Sequence, residues 1–108
     1  MSEFQRGSFK ISDDGFDTIT PNTESGIIII TIPGLAANRQ GIVSFDVDSG
    51  GATTVLISPT GDIEVTTGAL AGTTGTDVKL TISAHTDGLL YVENRLGAEY
   101  LIRYLLIS

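Results

Sequence analysis

The 108-residue sequence contains no cysteine and no tryptophan, and only one histidine. Without cysteine there is no disulfide scaffold, no thiol nucleophile and no Cys/His zinc site. Charge is scarce, at 18% of residues against roughly 25% in an ordinary globular chain. Six Lys and Arg stand against 13 Asp and Glu, for a net charge of −7. Scattered, outnumbered cations give no footprint for a nucleic-acid backbone. Long apolar runs are missing too. The longest is Ile27 to Ile30, extended past Thr31 by Ile32, far short of the roughly 18 residues of a membrane helix. Met1-Ser2-Glu3-Phe4-Gln5-Arg6 shows no basic segment followed by an apolar one, so cytoplasmic synthesis without a signal peptide is expected. Neither nucleic acid nor membrane is expected as a partner.

What the chain does have is a series of short β-branched runs. They are separated by Gly, Pro, Asp and Asn about every 8–12 residues, the pattern of a sandwich or barrel. Strands are predicted near residues 8–11, 16–20, 26–32, 42–47, 53–58, 63–67, 78–84, 89–94 and 100–107. The length suits one domain, so residues 1–108 read as a single unit with residues 1–7 as a flexible arm. The fold class that follows is all-β: an antiparallel β-sandwich, jelly-roll-like, with eight to nine strands. Leu35-Ala36-Ala37-Asn38-Arg39 reads as one helical turn at most, and the Gly/Thr tract 72–76 as a loop.

Parity assigns the faces. Val78, Leu80, Ile82 and Ala84 point one way, with Lys79, Thr81 and Ser83 on an outer, wet face. Val43, Phe45 and Val47 turn inward, with Ser44 and Asp46 outward. At Asp87-Gly88 a two-residue loop would set Ile82 against Glu93 and Leu80 against Arg95. A three-residue loop, Thr86-Asp87-Gly88, instead pairs Ile82 with Val92 and Ala84 with Leu90, and puts Gly88 where a left-handed residue is needed. The three-residue loop is therefore expected.

Two strands break the alternation. In 26–32, Ile28, Ile30 and Ile32 share one face while Ile27 and Ile29 occupy the other. In 100–107, Tyr100, Ile102, Tyr104 and Leu106 share one face, with Leu101, Leu105 and Ile107 beside Arg103 on the other. A sandwich covers only one face of each sheet. The second apolar face must meet a loop, the N-terminal arm with Phe4, or another subunit. Large exposed apolar patches are uncommon on monomers, so Ile27, Ile29, Leu101, Leu105 and Ile107 are the candidate oligomer interface.

Signals for chemistry are weak. His85, near Asp87, has no nucleophile motif beside it and reads as a surface histidine; a triad is defined by geometry. A cupin-type metal site would need several histidines. Asp46-Val47-Asp48-Ser49-Gly50 superficially resembles a calcium loop, but its twelfth position is Ile57 rather than Glu, so Asp48 and Ser49 read as turn formers. Asp13-Asp14-Gly15 with Asp17 reads as a turn as well. Asp62 and Glu64 share a strand face without a predicted cleft. No catalytic residue, metal ligand or cofactor is assigned. Tyr91, Glu93 and Arg95 share the outward face of their strand and are the candidate exposed recognition residues. Tyr100 and Tyr104 suit core or interface packing.

The Thr/Gly-rich turns, and the stretch Leu90-Tyr91-Val92-Glu93-Asn94-Arg95-Leu96-Gly97 followed by a short terminal strand, resemble the small β-rich structural proteins of tailed bacteriophages and gene-transfer particles. The likeness covers about the last third of the chain and is one of style. The apolar closing strand is similar to that of jelly-roll trimers of the tumour-necrosis-factor and C1q type, where it lies near the threefold axis; Arg103 departs from a wholly apolar seam. The resemblance implies a non-enzymatic, self-associating virion component, a homotrimer in a phage head or tail. The alternative is a receptor- or carbohydrate-binding module of the same fold.

Overall fold

A computed structural model of the chain describes residues 4–36, 40–57 and 61–108. The β-branched runs form nine strands: β1 Phe4–Ile11, β2 Gly15–Ile19, β3 Ser25–Thr31, β4 Gln40–Asp46, β5 Thr53–Leu56, β6 Ile63–Thr67, β7 Leu80–Ala84, β8 Leu90–Asn94 and β9 Tyr100–Ile107. They build two sheets, a five-stranded one in the order β1-β9-β3-β4-β5 and a four-stranded one in the order β2-β8-β7-β6. The all-β sandwich is thus what the periodicity of the sequence leads to. Of the candidate helical turn, residues 37–39 lie outside the described residues; Pro33 and Gly34 make a tight turn in which the Leu35 N–H bonds the Ile32 carbonyl.

The core lies between the sheets, where alternation requires it. Ile28, Ile30, Val43, Phe45, Ile102 and Leu106 from one sheet meet Ile19, Ile63, Leu80, Ile82, Leu90 and Val92 from the other, all buried. Burying such a side chain contributes about 1.5–3 kcal/mol, so this interior supplies most of the drive to fold. The β7–β8 hairpin has the expected register, Ile82 opposite Val92 and Ala84 opposite Leu90. Its Gly88 N–H bonds the His85 carbonyl, and Gly88 has φ 87°. That is a turn closed by one left-handed residue, the conformation only glycine adopts freely.

Four expectations are corrected. Residues 4–7 are not part of an arm; they are the first half of β1, whose pairing with β9 begins at Phe4 opposite Ile107. The sandwich is not antiparallel throughout, because β6 and β7 run parallel. Thr81 and Ser83 do not lie on a wet face: both are buried. Finally, Val78 does not point into the core as part of a strand. It is 66% exposed with φ 63°.

These last three share a cause. Parallel neighbours need a crossover, and residues 68–79 supply it by passing over the outer face of the four-stranded sheet. The Ser83 hydroxyl donates to the Gly68 carbonyl at 2.6 Å, and Leu70 is buried. Where the crossover rejoins the sheet, the Val78 N–H bonds the Arg95 carbonyl, and the Arg95 N–H bonds the Lys79 carbonyl. Two residues therefore oppose one, a β-bulge whose first position is left-handed. Glycine is the natural occupant there, and a β-branched side chain is strained by about 1–2 kcal/mol. Val78→Gly is expected to raise unfolding stability by about 0.5–1 kcal/mol once glycine's greater chain entropy is subtracted, as read from urea titration.

Candidate functional site

Side chains directly opposite each other in a ladder share a face, so the strand registers map the outer face of the five-stranded sheet. One row across it reads Phe4, Ile107, Ile27, Ser44, Val55. The next reads Arg6, Leu105, Ile29, Ile42, continued by Ile57, whose N–H bonds the Ile42 carbonyl. The third reads Ser8, Arg103, Thr31, Gln40. Beyond it Lys10 stands beside Leu101. At the opposite end a row of Ser25, Asp46 and Thr53 closes the face.

Ile27, Ile29, Leu105 and Ile107 thus form one cluster, and Leu101 sits on the same face behind the Arg103 row. Four residues that sequence reasoning left out complete the patch: Phe4, Ile42, Val55 and Ile57. No described loop covers it. Phe4 is 64% exposed, Val55 52%, Ile57 51% and Ile27 38%. Phe4, the expected cover, lies beside the patch and extends it. A shallow groove of about 540 Å³ runs along the face between Arg6, Ser8, Ile29, Thr31, Arg103 and Leu105. Among the described residues no carboxylate pairs with Arg6, Lys10 or Arg103.

The candidate recognition row on the other sheet is placed differently from expectation. Glu93 is not exposed. It is fully buried under the crossover, where its carboxylate accepts three backbone N–H bonds, from Gly72 at 2.8 Å, Thr74 at 3.1 Å and Gly75 at 2.6 Å. The fit is tight: a Cβ on Gly75 would strike the Thr81 hydroxyl and stand 2.8 Å from Glu93 Oε1. A buried charge is tolerated only with such donors. Arg95 is half-buried, bonding Asp14 at 3.0 Å and the Gly75 carbonyl at 2.9 Å, with Asp77 at 3.8 Å. Tyr91 is half-exposed, with its ring 5.9 Å from that of Phe16 and 6.0 Å from that of His85. Its hydroxyl donates to Asp87 at 2.7 Å, and that bond raises the phenol's pKa.

Other acidic clusters are committed to the fold. Asp46 Oδ1 takes the Asp48 N–H and Asp48 Oδ2 the Gly50 N–H, so this stretch is a turn. Asp13 takes the Gly97 N–H. Asp62 follows the undescribed residues and passes its carbonyl to the Leu80 N–H. Glu64 is held by the Thr76 N–H and by the hydroxyls of Thr76 and Thr81. The imidazole of His85 meets Tyr91 edge-on, and no serine reaches it among the described residues. No group of three metal-ligating side chains forms among them either.

Burial pushes the Glu64 carboxyl up, but the Thr76 and Thr81 bonds, aided by Lys79, more than offset it and leave the pKa lowered. A lowered folded pKa gives stability that is present above the ordinary glutamate range and lost as pH falls through the folded value. The stability difference between wild type and Glu64→Gln should therefore shrink on acidification, in denaturant titrations across pH 7 to 3. Glu93→Gln replaces an acceptor oxygen with a donor facing backbone N–H groups. It is expected to cost about 2–3 kcal/mol and to speed amide hydrogen exchange at Gly72, Thr74 and Gly75.

No family model, no curated protein and no solved structure matches this chain.

Proposed function

We propose that this chain is a non-enzymatic structural or assembly subunit that associates with copies of itself, in keeping with a virion-type particle such as a phage head or tail. The observation that carries the reading is the uncovered apolar face of Phe4, Ile27, Ile29, Ile42, Val55, Ile57, Leu105 and Ile107. Five strands about 4.8 Å apart and up to eight residues long span a footprint of roughly 600 Å². That approaches the ~800 Å² per partner of a standard interface. Apolar area removed from water returns about 25 cal/mol per Å² before association costs. Passage of the chain between sheets from β1 to β2, from β2 to β3, from β5 to β6 and from β8 to β9 is in keeping with the jelly-roll-like description. In this reading the chain is made in the cytoplasm and carried on the particle.

A second reading, a receptor- or carbohydrate-binding module, draws on the partly exposed Phe16, Tyr91 and His85 rings beside Asp87. Aromatic faces next to carboxylates suit sugar rings.

Light scattering at micromolar concentration separates the two. Self-association should appear as a mass above 11.3 kDa, and Ile29→Asp or Leu105→Asp should return it to the monomer with the fold intact by circular dichroism. Tyr91→Ala should leave assembly unchanged and abolish retention on immobilised glycans only if the second reading holds. A clean monomer in wild type would sink the assembly reading.

A further inference from the structure

The charges on the apolar face are not scattered. Arg6 on β1, Arg103 on β9 and Lys10 on β1 are diagonal neighbours in the ladder, since Arg6 faces Leu105, Arg103 faces Ser8 and Lys10 faces Leu101. They hold one corner of the face and amount to half of the chain's six cations. The far corner carries carboxylates instead. Asp46 lies on the same face, aligned with Ser25 and Thr53, and Asp48 follows it two residues on. Each uses one oxygen on a local N–H and has the other available. Between the corners lie the isoleucines and leucines.

Because successive same-face residues are about 7 Å apart along a strand and strands about 4.8 Å apart, Arg103 and Asp46 are separated by roughly 22 Å on the unrolled sheet. The midpoint of that line falls on β3 between Ile27 and Ile29. β3 is the central strand of the five.

We infer that this face pairs with the same face of a second copy about a twofold axis lying in the interface and crossing β3 between Ile27 and Ile29. The inference rests on the self-association reading and gives it a geometry. A twofold contact is self-complementary. An axis perpendicular to the Arg103–Asp46 diagonal brings Arg103 opposite Asp46 of the second copy, and Lys10 opposite its Asp48. The same operation lays Ile29 and Leu105 over Ile27 and sets Ile57 against its own counterpart. Two apolar centres meet, with Arg103 and Lys10 set against Asp46 and Asp48. The repeating unit is a dimer with even-numbered assemblies built on it, not the threefold ring that the closing strand's resemblance implies.

Charge reversal tests the pairing. Arg103→Asp and Asp46→Arg should each raise the dissociation constant, measured by sedimentation equilibrium in low salt, about tenfold or more. The double variant R103D/D46R should recover most of that loss, because the pair is restored with its signs exchanged. Lys10→Asp with Asp48→Arg gives an independent second cycle should Asp46→Arg disturb its turn. Added salt should weaken the wild type and leave Asp46→Asn less affected.

A wild-type monomer at the highest concentration overturns both the pairing and the assembly reading. An oligomer that Ile29→Asp dissociates but the reversals leave untouched, or whose double variants show no recovery, keeps the assembly reading and overturns the twofold register. A trimeric mass overturns the twofold axis. An oligomer insensitive to Ile29→Asp places the contact elsewhere, with the β1 edge as the next surface, and overturns both uses of the face.

Discussion

Two stacked sheets present four faces, and stacking covers only two of them. Everything distinctive about this chain follows from how the remaining two are treated. The four-stranded sheet has its outer face roofed from within. Because β6 and β7 run parallel, the chain must travel back between them, and residues 68–79 make that return across the face. The roof is polar backbone over Thr81, Ser83 and Glu93, and its N–H groups need acceptors. The two carboxylate oxygens of Glu93 accept three of them, while Glu64 and Arg95 hold the two flanks. A loop with few apolar side chains is thereby fixed by charge-assisted hydrogen bonds, which are stronger than neutral ones.

The five-stranded sheet receives no such cover. Its strands follow a meander, β3–β4–β5, closed on the other side by β9 and β1. Among the described residues, the connections that join these antiparallel neighbours lay no segment over the outside. Apolar residues at Ile27, Ile29, Ile42, Leu105 and Ile107 are thus retained where nothing in the described chain shields them. The low charge content has the same origin. Residues that would ordinarily be the wet side of central strands are isoleucine and leucine.

How much of this the sequence discloses depends on the range of the contact. Local periodicity places all nine strands, β1 only from Ser8 onward and β7 two residues too early, and the hairpin register follows from opposing core with core around Asp87-Gly88. Ile27, Ile29, Leu105 and Ile107 were legible as a second apolar set within their own strands. Ile42 is implied only indirectly, by the inward turn of Val43 and Phe45. Phe4, Val55 and Ile57 join the patch only because β1 and β5 are the flanks of that sheet, and strand order is not encoded in any one strand. Glu93 was misplaced for a different reason. Its partners are backbone N–H groups 18 to 21 residues away, and backbone has no residue signature. At Val78 β-propensity favoured a strand, and the geometry of the returning crossover overrode it.

The same few cations serve two ends on the five-stranded sheet. β1 is an edge strand of eight residues, and a long exposed edge invites pairing with any other edge. Arg6 and Lys10 on that strand oppose such pairing, because a second β1 would bring like charges together. On the face, with Arg103, they stand opposite in sign and position to Asp46 and Asp48. Apolar area gives an interface most of its affinity but little orientation, whereas charge gives register and rejects wrong alignments. An acidic chain that places half of its cations at one corner of its only broad apolar face, within the described residues, restricts the ways in which that face can be covered. Edge growth is disfavoured, and stacking in the alignment that joins unlike corners is favoured.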